Sequence, residues 1–302
     1  MIKVRDVAYV RFGAPELGSM ERFLHDFGLA TTTRDDARLF ARGTDPGPYL
    51  HVTERGESGF RGVAFEANTA EDLAAAARLA GASPVEEIDA PGGGRRVRFR
   101  DPDGFEVEVV HGRERLAPLP FESALPLNRG SERQRLGALQ RVPRGPARVK
   151  RLGHVVLRVS DFARSDRWYR SRFGFLPSDD VFVGDRDHVI ASFMRCDQGE
   201  RFVDHHTFLC LGTGQPGFDH AAFEVEDIDA VMAGHDHLAR QGYQHHAGVG
   251  RHVLGSQVFD YWRDPFGHVV EHFTDGDLLD ARARPGLHDP GVALGTQWGR
   301  FA

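Results

Sequence analysis

Histidine is the residue most able to bind metals or move protons near neutral pH, and this chain spends it unevenly. Of 16 histidines in 302 residues, three (His25, His51, His111) precede residue 151 and thirteen follow it. Several of the thirteen fall in alternating, strand-like sequence: HVVLRVS (154–160), VDHHTFLCLG (203–212), FDHAAFEV (218–225) and GRHVLGSQVFDYWRDPFGHVVEHFTDGD (250–277). In the last run Glu271 sits between Val270 and His272, and a carboxylate on a buried strand face is costly unless paired or metal-bound. Taken singly, His154 and His220 also suit a packed or capping histidine. Their chemistry depends on which elements bring them together.

Those elements repeat along the chain. VAYVRF (7–12) precedes SMERFLHDFGL (19–29), and HVVLRVS (154–160) precedes DFARSDRWYRSRFGF (161–175); each reads as strand, amphipathic helix and Phe-Gly stop. FRGVAFEA (60–67) leads into a helix starting at Thr69 with Asp72 as a capping signal, and FDHAAFEV (218–225) into a helix near 228–241. VRFRDPDGFEVEVV (97–110) matches FDYWRDPFGHVVEHF (259–273), each a strand, an Asp-Pro-x-Gly turn and a second strand. Each half thus holds two strand–helix–strands units. The simplest parse is an N-terminal domain over 1–112, a Pro- and Arg-rich linker over 113–149, a C-terminal domain over 150–275 and an irregular tail over 276–302.

Composition bounds the function. The length suits two domains. Lys plus Arg number 38 and Asp plus Glu 44, a net charge of −6 with a pI near 6.2. That balance argues against nucleic acid or an anionic membrane as partner. No apolar run approaches the ~20 residues that cross a bilayer, and Met1–Asp6 lacks a signal-peptide core, so the expectation is a cytoplasmic protein. Cys196 and Cys210 are too few for a disulfide framework or a thiolate zinc site.

The layout and these motifs resemble the two-domain extradiol ring-cleavage dioxygenases of the vicinal oxygen chelate superfamily, over nearly the whole chain. The resemblance implies an α+β fold of two domains, each of two βαβββ modules forming a cup-shaped mixed sheet. It implies a metal-free first cup and one Fe(II), or Mn(II), in the second. The implied ligands are His154, His220 and Glu271, whose counterparts in the first half are aligned as Ala8, Gly62 and Glu108. Two imidazoles and one carboxylate on one face of a metal leave room for catechol and O2. His206 is the implied acid–base catalyst; strand alternation puts His205 and His206 on opposite faces, so one alone faces the metal. His252 and Tyr261 are the implied contacts to the catechol oxygens. The implied reaction is meta cleavage of a catechol to a 2-hydroxymuconic semialdehyde-type product by a homo-oligomer.

The second half is rich in aromatics, Phe193 among them, and a minority of these would line a ring-shaped pocket. No arginine cluster marks a carboxylate-bearing substrate, although Arg251, Arg282 and Arg284 could reach in, so an aryl- or alkyl-substituted catechol is favoured. The tail is expected over the site. His235, His237, His245 and His246 read as a solvated face, His188, His268 and His272 as strand edges or outer face, and Cys210 as core. PGGGRR (91–96) lacks the strand-to-helix context of a phosphate loop. Two other readings compete: a different metal-dependent enzyme on this scaffold, such as an isomerase, lyase or thiol transferase, and a non-catalytic aromatic-binding protein. The first does not call for His206, His252 and Tyr261, and the second predicts ligands lost from both halves.

Overall fold

The structure, a computed structural model, describes residues 1–120 and 125–300. Four modules account for most of it. The first is β1 (Val4–Ala14), α1 (Leu17–Phe27), β2 (Ala30–Arg34), β3 (Arg38–Arg42) and β4 (His51–Arg55); the second is β5 (Gly59–Ala67), α2 (Ala70–Ala76), β6 (Glu86–Glu87), β7 (Arg95–Arg100) and β8 (Glu106–His111). They form one eight-stranded sheet in the order β2-β3-β4-β1-β5-β8-β7-β6. The third is β9 (Val149–Val159), α3 (Phe162–Phe173), β10 (Leu176–Phe182), β11 (Val189–Arg195), the short β12 (Val203–Asp204) and β13 (Phe208–Gly212). The fourth is β14 (Gly217–Val225), α4 (Ile228–Gln241), β15 (Gln244–His252), β16 (Val258–Arg263) and β17 (Val269–Thr274). The tail adds β18 (Leu278–Leu279), β19 (Gly286–His288), α5 (Pro290–Ala293) and β20 (Thr296–Gly299). The second sheet runs β19-β10-β11-β13-β9-β14-β17-β16-β15-β20, while β12 pairs with β18. This is the α+β arrangement of paired βαβββ modules read from the repeats.

Local chemistry explains the boundaries. The Thr69 hydroxyl accepts from Asp72 N at 3.0 Å, Asp161 from Arg164 N at 3.0 Å and Asp227 from Ala230 N at 2.8 Å, each satisfying an orphan helix donor. Gly28 and Gly174 end α1 and α3 at φ 108° and 72°, a region that favours glycine. At the Asp-Pro-x-Gly turns Gly104 N donates to Asp101 O and Gly267 N to Asp264 O, both at 3.0 Å. These turns aim β8 and β17 back across their sheets.

The helices pack between the sheets, and one apolar cluster spans both halves. Phe27 of α1 meets Phe223 of β14 with ring centroids 5.4 Å apart. Phe99 of β7 meets Phe173 of α3 at 5.7 Å. The halves therefore stabilise each other through shared aromatic burial. Among the described residues no helix is long and apolar enough to cross a membrane.

Candidate metal centre

The register of the second sheet builds the site. His154 of β9 lies opposite Ala222 of β14, Ala222 opposite Glu271 of β17, and Glu271 opposite Tyr261 of β16. His154, Glu271 and Tyr261 thus share one row, with the small Ala222 leaving space between them. His220 enters two residues before Ala222, opposite Val156. The three metal-capable atoms form a nearly equilateral triangle. His154 Nε2 and His220 Nε2 lie 3.3 and 3.4 Å from Glu271 Oε2, and 3.4 Å from each other. Donors ~2.1 Å from one cation are separated by about this much.

The surroundings explain why this triangle suits a cation. Glu271 is 0% exposed, and burial pushes its carboxyl up from the usual range against the pull of His220 and His252. The imidazoles of His154, His220 and His252 lie within 4.0 Å of it and the Tyr261 hydroxyl hydrogen-bonds it, and among the described residues no Lys or Arg joins them. A buried carboxylate without a fixed countercharge is costly. Burial, with His220 nearby, holds His154 well below the ordinary imidazole range and therefore neutral, as a ligand must be. His220 Nδ1 lies 2.8 Å from Asp219 Oδ1, the outer partner that fixes the tautomer of a ligating imidazole. Against burial, that bond raises the His220 pKa.

The first sheet supplies an internal comparison. There the equivalent row is Tyr9, Ala64, Glu108 and Arg98. Tyr9, not Ala8, is therefore the counterpart of His154: each lies opposite the equivalent alanine and each follows the same register shift, at Val7/Tyr9 in β1 and at Leu152/His154 in β9. Glu108 is also buried, but the Tyr9 hydroxyl donates to it and Arg11 Nη1 does so at 2.7 Å. An arginine occupies the role that a cation would take in the second sheet. Among the described residues, no group of three metal-capable side chains gathers there.

The triangle heads a cavity of about 290 Å³ whose wall includes Val156, Val181, Ile190, Phe193, Leu209 and Leu254. The tail closes it with Pro290, Ala293 and Leu294, and among the described residues no Lys or Arg lines it. His206 lies on the wall, its ring 4.1 Å from that of His154 and 5.1 Å from that of Phe193. His252 stacks on Phe259 at 4.0 Å and places Nε2 3.0 Å from the Tyr261 hydroxyl. Burial pushes His252 down to about 4, and burial with the neighbouring His154 holds His206 far below the ordinary range. Burial, with the Glu271 charge, raises Tyr261 well above its usual pKa. Around neutral pH these three are uncharged hydrogen-bonding groups.

Comparison with known proteins agrees with this architecture. A family model described as Glyoxalase/Bleomycin resistance protein/Dioxygenase superfamily matches residues 19–109 and 151–272. The chain belongs to that superfamily. Within it, metapyrocatechase 2 of Cupriavidus necator is 29% identical over 280 residues, covering 92% of this chain and 83% of that protein. An iron-dependent extradiol dioxygenase of Rhodococcus jostii is 28% identical over 250 residues, covering 79% and 69%. Among solved folds, the Mn(II)-bound glyoxalase of Novosphingobium aromaticivorans aligns with TM-score 0.81 at 24% identity, covering 100% of this chain and 93% of that one. Homoprotocatechuate 2,3-dioxygenase of Brevibacterium fuscum aligns with TM-score 0.78 at 20% identity, covering 96% and 86%.

Some residues of this superfamily member lie elsewhere than expected. Arg251 does not reach the cavity: Nη1 donates to Ser256 O at 2.6 Å and Nη2 to Asp275 Oδ2 at 2.7 Å. His205 and His206 do not alternate across a strand. They lie between β12 and β13, both buried, with their Nδ1 atoms 3.1 Å apart. His235 is half-buried and His245 exposed, as a solvated face would be, but both converge on the buried Asp260 at 3.1 and 2.9 Å, and Trp262 Nε1 donates to it at 2.5 Å. His237 bonds Asp26 at 2.8 Å. His272 is fully buried and bonds Phe27 O at 2.7 Å. Asp219 was missed; its place directly before His220 was the available signal.

Proposed function

We propose that this protein is an Fe(II)-dependent extradiol dioxygenase that cleaves a catechol ring beside its hydroxyl pair and incorporates both atoms of O2. The carrying observation is the His154–His220–Glu271 triangle at the head of an apolar cavity, with His206, His252 and Tyr261 around it. Kinship with metapyrocatechase 2 and an iron-dependent extradiol dioxygenase supports the reading. A manganese-dependent 2,3-dihydroxybiphenyl 1,2-dioxygenase, 24% identical over 199 residues, keeps Mn(II) as an alternative occupant.

Bound at the three donors, iron would supply a chelation point for catechol and O2 and pass electron density between them. The protein's own groups do the rest. Tyr261 and His252, already 3.0 Å apart, offer hydrogen bonds to the catechol oxygen beside Glu271. Phe193 packs against the ring, and the aliphatic wall excludes water from the reacting face. Catechol plus O2 gives 2-hydroxymuconic semialdehyde with every atom retained when both are written in their protonated forms, the product's new carboxyl then ionising in solution. A base that takes a proton must therefore return it, and neutral His206 suits that role. Among the described residues the cavity wall carries no Lys or Arg, which favours an aryl or alkyl substituent over a carboxylate.

The test is anaerobic loading with Fe(II), then aerobic addition of 2,3-dihydroxybiphenyl or 4-methylcatechol while recording visible absorbance and O2 consumption. A yellow product formed in equal amount to the O2 consumed is expected. Metal-loaded, folded protein that cleaves no catechol would overturn the proposal.

A further inference from the structure

Behind His206 runs a chain of side chains that ring cleavage does not itself require. His206 Nδ1 lies 3.1 Å from His205 Nδ1. His205 Nε2 lies 2.8 Å from Asp179 Oδ2, and His288 Nε2 lies 2.9 Å from Asp179 Oδ1. The chain is built into the fold. Asp179 follows a register shift in β10, and the His205 backbone N–H donates to Asp277 O at 2.9 Å. Gly286 of β19 leaves the room: a Cβ there would lie 2.1 Å from Asp179 Oδ1.

The hydrogen-bond directions follow from the groups. Although burial opposes it, the bonds from His205 and His288 hold the Asp179 carboxyl below its usual range. An ionised carboxylate only accepts, so Nε2 of His205 carries the hydrogen. In neutral His205 that leaves Nδ1 as a lone pair. The Nδ1–Nδ1 contact is then a hydrogen bond only if His206 Nδ1 is the donor. Neutral His206 therefore has its own lone pair on Nε2, across the ring from His205, in a residue that lines the cavity.

We propose that Asp179 and His205 are positioning residues that hold His206 in the tautomer with a bare Nε2, ready to take a proton from the bound substrate. This rests on the reading of His206 as the acid–base group. It parallels the logic of an Asp–His pair behind a nucleophile, with a second imidazole inserted between them. His288 anchors the tail to the same carboxylate but lies outside the path from Asp179 to His206.

The experiment uses the full-length protein and four variants: D179N, H288Q, H206F and the double variant D179N/H206F. Long-range ¹H–¹⁵N spectra of the Zn(II)-loaded protein report the His206 tautomer, and the Fe(II)-loaded protein reports kinetics with 2,3-dihydroxybiphenyl. Wild type is expected to show hydrogen on His206 Nδ1 and D179N to lose that tautomer. D179N should lower kcat about 10²-fold with metal content and KM retained, H288Q should stay near wild type, and D179N should not slow H206F further. Hydrogen on Nε2 of wild-type His206 overturns the proposal. So does a D179N defect confined to KM or metal content, one matched by H288Q, or one that persists in H206F. If wild type cleaves no catechol, the enzymatic reading fails, while the nitrogen spectra still decide the tautomer.

Discussion

Replacing Glu271 by Gln should invert the order of stability between metal-free and metal-loaded protein. The substitution keeps shape and removes one charge at a position that is 0% exposed. Without metal, and above the raised pKa of His220, the surrounding imidazoles are neutral, so the carboxylate has no fixed countercharge among its neighbours. Leaving a buried charged group unsatisfied costs about 1–3 kcal/mol or more. Removing it should raise the melting temperature by several degrees, at ~2–4 °C per kcal/mol for a chain of this size class. With metal the sign reverses. Losing one partner of a buried charge interaction costs about 3–5 kcal/mol, or about 10²–10⁴-fold in metal affinity. Calorimetric melting after chelation and after saturation with Mn(II) or Zn(II) reads both arms. Glu108→Gln is the control; it removes the charge facing Arg11 and one of the two oxygens that accept from Arg11 and Tyr9, and should destabilise both states alike. An E271Q protein that is less stable than wild type with and without metal would refute the reasoning and make Glu271 a structural carboxylate.

His206→Phe should keep metal content and catechol binding and lower kcat ~10²–10⁴-fold; anaerobic binding titrations and stopped-flow turnover separate the two effects. Arg11→Ala should strand the buried Glu108 and cost about 3–5 kcal/mol in urea unfolding, without changing metal stoichiometry in the second sheet. His51 is 1% exposed, and burial lowers its pKa to about 3. Its unfolded form takes up a proton near pH 6.5 and its folded form does not, so stability falls as pH drops from there toward about 3. Between pH 7 and 5 this contributes about 2 kcal/mol, and His51→Gln should flatten the slope measured by urea unfolding at the two pH values.

Much of this was legible along the chain because caps, stops and Asp-Pro-x-Gly turns are local signals. The α4 boundaries, Ile228–Gln241, fall where the sequence pattern places that helix. What failed depended on register or on distant neighbours. The counterpart of His154 is Tyr9 and not Ala8, although both strands carry the same register shift; two short apolar stretches can be aligned one residue apart, and only the cross-strand partners fix which alignment holds. The His205–His206 pair was read with strand geometry, but the strand begins at Phe208. The gathering of His235 and His245 was not legible because the Asp260 that joins them comes from another element. Arg251 lies near the signature histidines in sequence, yet its side chain is drawn to Asp275.

Gly62 gives the asymmetry between the halves a direction in time. It holds the place that His220 holds in the second sheet, and a Cβ on it would lie 2.5 Å from the Glu106 carbonyl oxygen. Backbone occupies the volume where a ligand side chain would begin. Restoring histidines at 9 and 62 and removing the arginine at 11 would not recreate the first centre, because the strand carrying Glu106 would first have to retreat. If the duplicated ancestor bound metal in both halves, its loss here works as a ratchet: side chains can revert one at a time, but the gap between β5 and β8 has closed behind them.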